Sequence, residues 1–311
     1  MIKRLGAFSI NREGMDKKAI SFAIKTLVDG ERMLVIYPEG SVSRSNDFMH
    51  PFLDGTGFIA RTAARKRAKL AGERNSGKVM VHPVAFRYLF IGDFDSCCEH
   101  TLNLLETHLK WEPQTHLPLL ERIAKVAAGL LSEREVKYLG RAQEGGYYER
   151  IKALIVHVLS KQEQKWKGEV QSGDYIARVK SLRPIIVPDL AKGHLKVEEA
   201  SSRRQDLYDL NFVQQLCYYP VDYLSGNTGK VTAERIIETL ERLEEDLTDM
   251  ITMPRRFKLV IDVLDAVEIP AEKLPRGAEN DPVMDEVRDR LEANLALSAE
   301  LMPVYEPELE G

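Results

Sequence analysis

Met33-Leu-Val-Ile-Tyr-Pro-Glu-Gly-Ser-Val-Ser-Arg-Ser-Asn-Asp-Phe-Met-His-Pro-Phe52 is the stretch around which the rest of the sequence arranges itself. Met33 to Tyr37 is an apolar run without alternation, which predicts a short strand buried on both faces. Pro38 ends it, because proline cannot donate to a sheet ladder. Glu39 and Gly40 then fall at the strand's carboxyl end, where open α/β sheets bind their ligands. Gly40 admits a turn or a close approach that a side chain would block. Ser41, Ser43, Ser45 and Asn46, with the cation Arg44, make a loop equipped to hold an anionic, oxygen-rich group.

Working outward, Ala7 to Ile10 reads as a strand with Arg12 just past it. Asp16 is placed to cap a helix with Ala19, Ile20, Ala23, Ile24, Leu27 and Val28 on its apolar side, closed by Gly30. Strand, helix and the Met33 strand together predict a β-α-β unit with parallel strands. A second helix starts at Asp54 or Thr56 and runs to about Leu70, with Arg61, Arg65, Lys66, Arg67 and Lys69 on a face expected to be exposed. Such a face suits phospholipid headgroups or a carrier's phosphates, and equally an ordinary solvated surface. Asn75-Ser-Gly is a turn, and Val79 to Phe86 the next strand, with Pro83 marking an edge or an end. His82 is read as a rim or core histidine rather than a base.

Tyr-Pro-Glu-Gly-Ser-Val-Ser-Arg, residues 37–44, resembles the Phe-Pro-Glu-Gly-Thr-Arg-Ser-Arg block of the glycerolipid (lysophosphatidate-type) acyltransferases. Gly6-Ala7-Phe8-Ser9-Ile10-Asn11-Arg12 is similar to that family's Gly-x-x-x-Ile-x-Arg block, and Val81-His82-Pro83-Val84 to its Val-x-Pro-Val block. The three blocks stand in the family's order and cover roughly residues 5 to 90. Val42 stands where the family usually has Arg, so one cation of the block is missing. The family's catalytic His-x-x-x-x-Asp block lies upstream of the Arg12 block; here no His has Asp five positions on. The chain begins five residues before Gly6 and is therefore expected to be a truncated form, without catalytic residues of its own. The resemblance implies an acceptor pocket shaped by Glu39 and Gly40 and bordered by the Pro83 block, with Ser41 in the same loop and Arg12 and Arg44 as phosphate contacts.

From Asp93 onward the pattern is almost wholly helical. Arg122–Gly140 and Arg150–Gly168 align without gaps at an offset of 28 and share 7 of 19 residues, which predicts two similar amphipathic helices. Leu182 to Leu190, with two prolines, is expected to break. Asp206 to Tyr223 reads as packed aromatic core. Thr232 is placed to cap a helix with Ile236, Ile237, Leu240, Leu243 and Leu247 inward and a dense Glu/Arg face outward. Phe257 to Leu264 reads as a strand, followed by a Pro/Gly linker and a last helix, Val283 to Leu301.

The expected architecture is α/β: an acyltransferase-type sheet with flanking helices, its amino-terminal part missing, plus a large all-helical insertion or second lobe. The boundaries are 1–92 for a partial α/β core, 93–253 for the helical region, and 254–311 for a strand and helix that rejoin the core.

At 311 residues, with 44% apolar and 30% charged content, the chain is long enough for a sizeable core. The net charge of −4 hides a balance of +8 over residues 1–92 and −12 beyond them. A basic first part suits phosphate-bearing substrates or an anionic membrane surface. Cys97, Cys98 and Cys217 form neither a disulfide framework nor a zinc-ligand spacing, and no apolar run approaches the ~20 residues of a membrane span.

Acyl transfer from a thioester to a glycerol hydroxyl needs a base, oxyanion donors and cations for the phosphate. A surface Glu is ionised but weakly basic at neutral pH, so Glu39 is not the base. The expected function is transfer of a fatty acyl group to a glycerol-phosphate or lysophospholipid hydroxyl. Coenzyme A or an acyl carrier protein serves as thioester co-substrate, and no cofactor or metal is expected. The protein is expected in the cytoplasm, peripheral on the inner face of the membrane. Nucleic acid is not a partner, since no aromatics interleave the basic residues. The alternative is a non-catalytic phospholipid- or phosphate-binding protein whose helical region docks a partner.

Overall fold

The computed structural model describes residues 6–10, 16–40, 42, 45–70, 77–219, 222–227, 229–252, 255–275 and 280–305. In chain order the elements are α1 (Lys17–Asp29), α2 (Gly55–Leu70), β1 (Met80–Val81), β2 (Val84–Phe90), α3 (Phe94–His108), α4 (Leu119–Leu139), α5 (Tyr147–Lys167), α6 (Tyr175–Lys192), α7 (Val197–Cys217), α8 (Ala233–Thr248), β3 (Phe257–Val263), β4 (Val267–Glu268) and α9 (Pro282–Ala299). Two compact units divide the chain: residues 1–93, 232–238 and 254–304 in the first, and 94–231, 239–253 and 305–311 in the second.

In the first unit the Asp16 carboxylate accepts from the Lys18 and Ala19 N–H groups and starts α1, which Gly30 closes at φ 70°. Small residues on α2 (Ala60, Ala63, Ala64) let it pack tightly in a core with Ile24 of α1, Ala85 of β2, and Val283, Val287 and Leu291 of α9. Asp281 caps α9 through the Val283 N–H, with Pro282 at the first helical position, where its missing donor does no harm. The same carboxylate takes two bonds from Arg61, at 2.6 and 2.5 Å.

Pro83 splits the expected Val79–Phe86 strand in two. β2 pairs antiparallel with β3 along its whole length, Val84 opposite Val263 through to Phe90 opposite Phe257, and β1 pairs with β4. One face of the β2–β3 ribbon carries Val84, Phe86, Tyr88, Leu259, Ile261 and Val263, all exposed; the opposite face buries Ala85 and Arg87.

Three expectations are corrected in this unit. Met33–Tyr37 is not a buried strand: it joins no ladder, and Met33, Val35 and Tyr37 are 94%, 75% and 73% exposed. Ala7–Ile10 is likewise unpaired, and every strand pair among the described residues is antiparallel. An apolar run becomes a strand only where another chain segment offers its N–H and C=O groups. The basic face of α2 is not wholly exposed either. Arg61 is spent on Asp281, and Arg67 is buried with its guanidinium on the Leu27 and Val28 carbonyls at the end of α1.

The helical unit is held by one device used repeatedly. Glu106, Glu135 and Glu163 sit near the ends of α3, α4 and α5 with no exposure at all. Each takes two bonds from an Arg on the next helix: Arg122 at 2.8 and 2.7 Å, Arg150 at 2.9 and 2.8 Å, and Arg178 at 2.9 and 2.8 Å. Each also accepts the backbone N–H of a Gln eight residues on, at Gln114, Gln143 and Gln171. Burial alone would raise these carboxyls; the Arg and backbone N–H groups overrule it and hold all three below the ordinary range. Glu244 of α8 repeats the capping half, accepting the Thr252 N–H at 2.7 Å. A buried Leu stands four residues before each Glu (Leu102, Leu131, Leu159, Leu240). The two helices aligned in the sequence are thus part of a longer series.

The expected break at Leu182–Leu190 is not there: α6 runs on through Pro184 and Pro188. These prolines are four apart on the exposed side, where water can take the carbonyls they free, while Leu182 and Ile186 keep the inner side packed. The charged face of α8 is not outward. Glu234, Arg235, Arg242 and Glu244 are all buried, because each is committed to a polar partner. Among the described residues no helix is long and apolar enough to cross a membrane.

Candidate functional site

The Pro38-Glu39-Gly40 segment is a tight turn, with the Gly40 N–H on the Tyr37 carbonyl at 3.2 Å. Gly40 has φ +66°, and a Cβ there would lie 2.3 Å from Leu53 Cδ1. Gly40→Ala should therefore destabilise the first unit by about 1–2 kcal/mol from the left-handed backbone alone, and by more from the clash. Adding Leu53→Ala should return the second part and not the first in urea unfolding; full recovery would locate the whole cost in packing.

The loop after the turn is closed at its neck. Leu53 N–H donates to the Pro38 carbonyl at 2.8 Å, and His50 N–H to Glu39 Oε2 at 2.9 Å. One oxygen of Glu39 is thus committed to its own loop. Arg288, from α9, donates to the Met49 and His50 carbonyls at 3.4 Å each and lies over the Phe52 ring at 5.8 Å. Burial, opposed by Glu39 and aided by the Arg288 charge, lowers the His50 pKa and so favours the uncharged ring.

The far side of the loop is tied down as firmly. Asn46 bonds Tyr88 of β2 twice, its Nδ2 donating to the carbonyl at 2.6 Å and its Oδ1 accepting the N–H at 2.8 Å. Asp47 pairs with Arg235 at 2.8 Å, the two side chains being 10% and 7% exposed. Two residues along β2, the Phe90 N–H donates to Glu234 at 3.0 Å.

Of the residues singled out by sequence, Glu39 and Gly40 share this turn. Pro83 is buried at the head of β2, its carbonyl accepting the Leu264 N–H at 2.9 Å; among the described residues it makes no bond to Glu39 or Gly40. Arg12, Ser41 and Arg44 lie outside the described residues, as does Ser43. Asn46 is corrected: its amide is spent on Tyr88 rather than offered to a ligand. Ser45 likewise donates to the Phe48 carbonyl. Sequence reading missed Arg235, Glu234 and Arg288; only a run of charges on a predicted helix hinted at the first two, and nothing at the third. His82 is exposed.

Burial pushes the Cys98 and Cys217 thiols up to about 12, which disfavours a thiolate nucleophile at either position. Among the described residues no group of three or more His, Cys, Asp or Glu could hold a metal ion. Residues 1–87 match the family model described as Acyltransferase, so this part of the chain is similar to acyltransferases and supports that activity in general terms. No curated protein and no solved structure matches the chain.

Proposed function

We propose that the protein works in glycerolipid acyl transfer, with a fatty acyl thioester of coenzyme A or a carrier protein as donor and a glycerol-phosphate or lysophospholipid hydroxyl as acceptor. The observation that carries this is the acyltransferase match over residues 1–87 together with the pinned turn at Glu39 and Gly40, which lies within it. In this reading the turn shapes the acceptor pocket, the Pro83 block borders it, and Arg12, Ser41 and Arg44 meet the phosphate. The hydroxyl oxygen attacks the thioester carbonyl, its proton passes to a base, and the thiol leaves. The exposed apolar face of β2 and β3 suits contact with a lipid surface, and supports a peripheral place on the inner face of the membrane.

No His here has Asp five positions on, so these 311 residues alone are expected to transfer slowly, about 10²–10⁴ below a site equipped with a base. Thiol release from an acyl thioester, measured with and without sn-glycerol 3-phosphate or lysophosphatidate, tests the proposal. Release that depends on acceptor supports it. Saturable binding of acceptor with no acceptor-dependent release would favour a phosphate-binding protein, and the absence of both binding and release would leave the proposal without support.

A further inference from the structure

Asn46 uses all of its polar groups on distant parts of the first unit. Its side chain pairs with Tyr88 at 2.6 and 2.8 Å, its N–H donates to Glu238 at 3.2 Å, and its carbonyl accepts from Arg87, also at 3.2 Å. The amide thereby stands where a neighbouring strand's peptide would, on the edge of β2 that faces away from β3. Asp47 beside it is held by Arg235, one turn before Glu238 on α8. Asn46 is the sixth residue after Gly40, so these ties to β2 and α8 lie close in sequence to the Glu39 turn.

Resting on the acceptor-site reading of the Glu39 turn, we infer that Asn46 and Asp47 are positioning residues: they fix the turn against β2, the strand that Pro83 opens, and so set the spacing of the two motif blocks. The bonds that close the Glu39 turn on itself, from the Leu53 and His50 N–H groups, reach no residue of β2 and so do not set its distance from that strand. A single amide–peptide pair fixes register along the strand, while the Asp47–Arg235 pair, shielded from water, fixes the loop's distance from α8. Such placement matters because a misplacement of about 1 Å costs a reaction up to about a hundredfold in rate, and a binding constellation tolerates only about 0.5 Å.

The test titrates sn-glycerol 3-phosphate into the 311-residue chain by calorimetry, alongside melting curves. Asn46→Ala should weaken binding by about tenfold or more. Arg67→Ala, which breaks a buried tie at the end of α1, should lower the melting temperature while leaving affinity within about twofold. Asp47→Glu, which keeps the charge, should retain more affinity than Asp47→Asn. Equal losses from Asn46→Ala and Arg67→Ala would overturn the inference by reducing the role to general stability. Unchanged binding by Asn46→Ala would overturn it and leave the acceptor reading standing. No saturable binding of either sn-glycerol 3-phosphate or lysophosphatidate by the unaltered chain would overturn both. Should Asn46→Ala not fold, Asn46→Asp carries the same threshold, since it keeps the bond from the Tyr88 N–H and loses the one to its carbonyl.

Discussion

Arg150→Met should cost the helical unit about 3–5 kcal/mol, the usual penalty for stranding one partner of a buried ion pair. Glu135 would keep the Gln143 N–H but lose both guanidinium bonds in a place with no exposure. The dependence on pH distinguishes this from lost packing. In the parent protein the Glu135 carboxyl sits below its ordinary value: burial is the largest influence, but Arg150 and the Gln143 N–H together outweigh it. Its stabilisation is therefore complete above the unfolded value, about 4.3, and is lost as pH falls through the folded one. Without Arg150, burial rules and the folded pKa rises above the unfolded one, so protonation relieves the variant instead. The stability gap between the two proteins should be widest near pH 7 and should narrow on acidification. Trp111 and Trp166 both lie in this unit, so urea unfolding followed by tryptophan fluorescence reads it directly. A gap that stays constant, or widens, between pH 7 and pH 4.5 would refute the account.

Asp281→Ala should cost the first unit a comparable amount, about 3–5 kcal/mol, because one carboxylate does two jobs. It caps α9, a role worth about 0.5–2 kcal/mol, and it neutralises Arg61, whose side chain is 10% exposed. Asp281→Asn should recover the capping part only. The Arg61 hydrogen bonds, ahead of the Val283 N–H, hold the Asp281 carboxyl below its ordinary value. The stabilisation is thus present above about 3.9 and disappears as pH falls through the folded value. Amide hydrogen exchange would report it: both α2 and α9 should lose protection together. Loss confined to the first turn of α9 would show that Arg61 finds another partner and that only the cap mattered.

What could be read from sequence was local. Asp16, Gly30 and Thr232 mark helix ends because a short side chain or a missing Cβ acts within three residues, and the structure places all three at helix boundaries. The Glu39–Gly40 turn was legible for the same reason. Met33–Tyr37 misled because apolarity reports a preference for burial, whereas a strand needs a partner whose position no window of sequence contains. The charges of α8 misled in the opposite sense. Charged positions predict solvent on average, yet Arg235 is buried on Asp47, from a distant part of the chain, and Glu244 on the Thr252 N–H just past the end of its own helix. Asp47 and Arg235 are 188 residues apart, and no periodicity links them. Arg288 lay hidden as one more cation on a helix.

The repeated clasp also constrains how such a chain can change in size. Each Glu is satisfied by an Arg that belongs to the following helix, and Arg122, Arg150 and Arg178 recur every 28 residues. Excising the 28 residues from Arg122 to Glu149 would hand Glu106 the next guanidinium in line, and every remaining carboxylate would still meet its cation. Removing ten or fifteen would strand a charge in the core. A helical stretch of this kind is therefore free to grow or shrink by duplication and loss of whole units, and is closed to most other insertions and deletions.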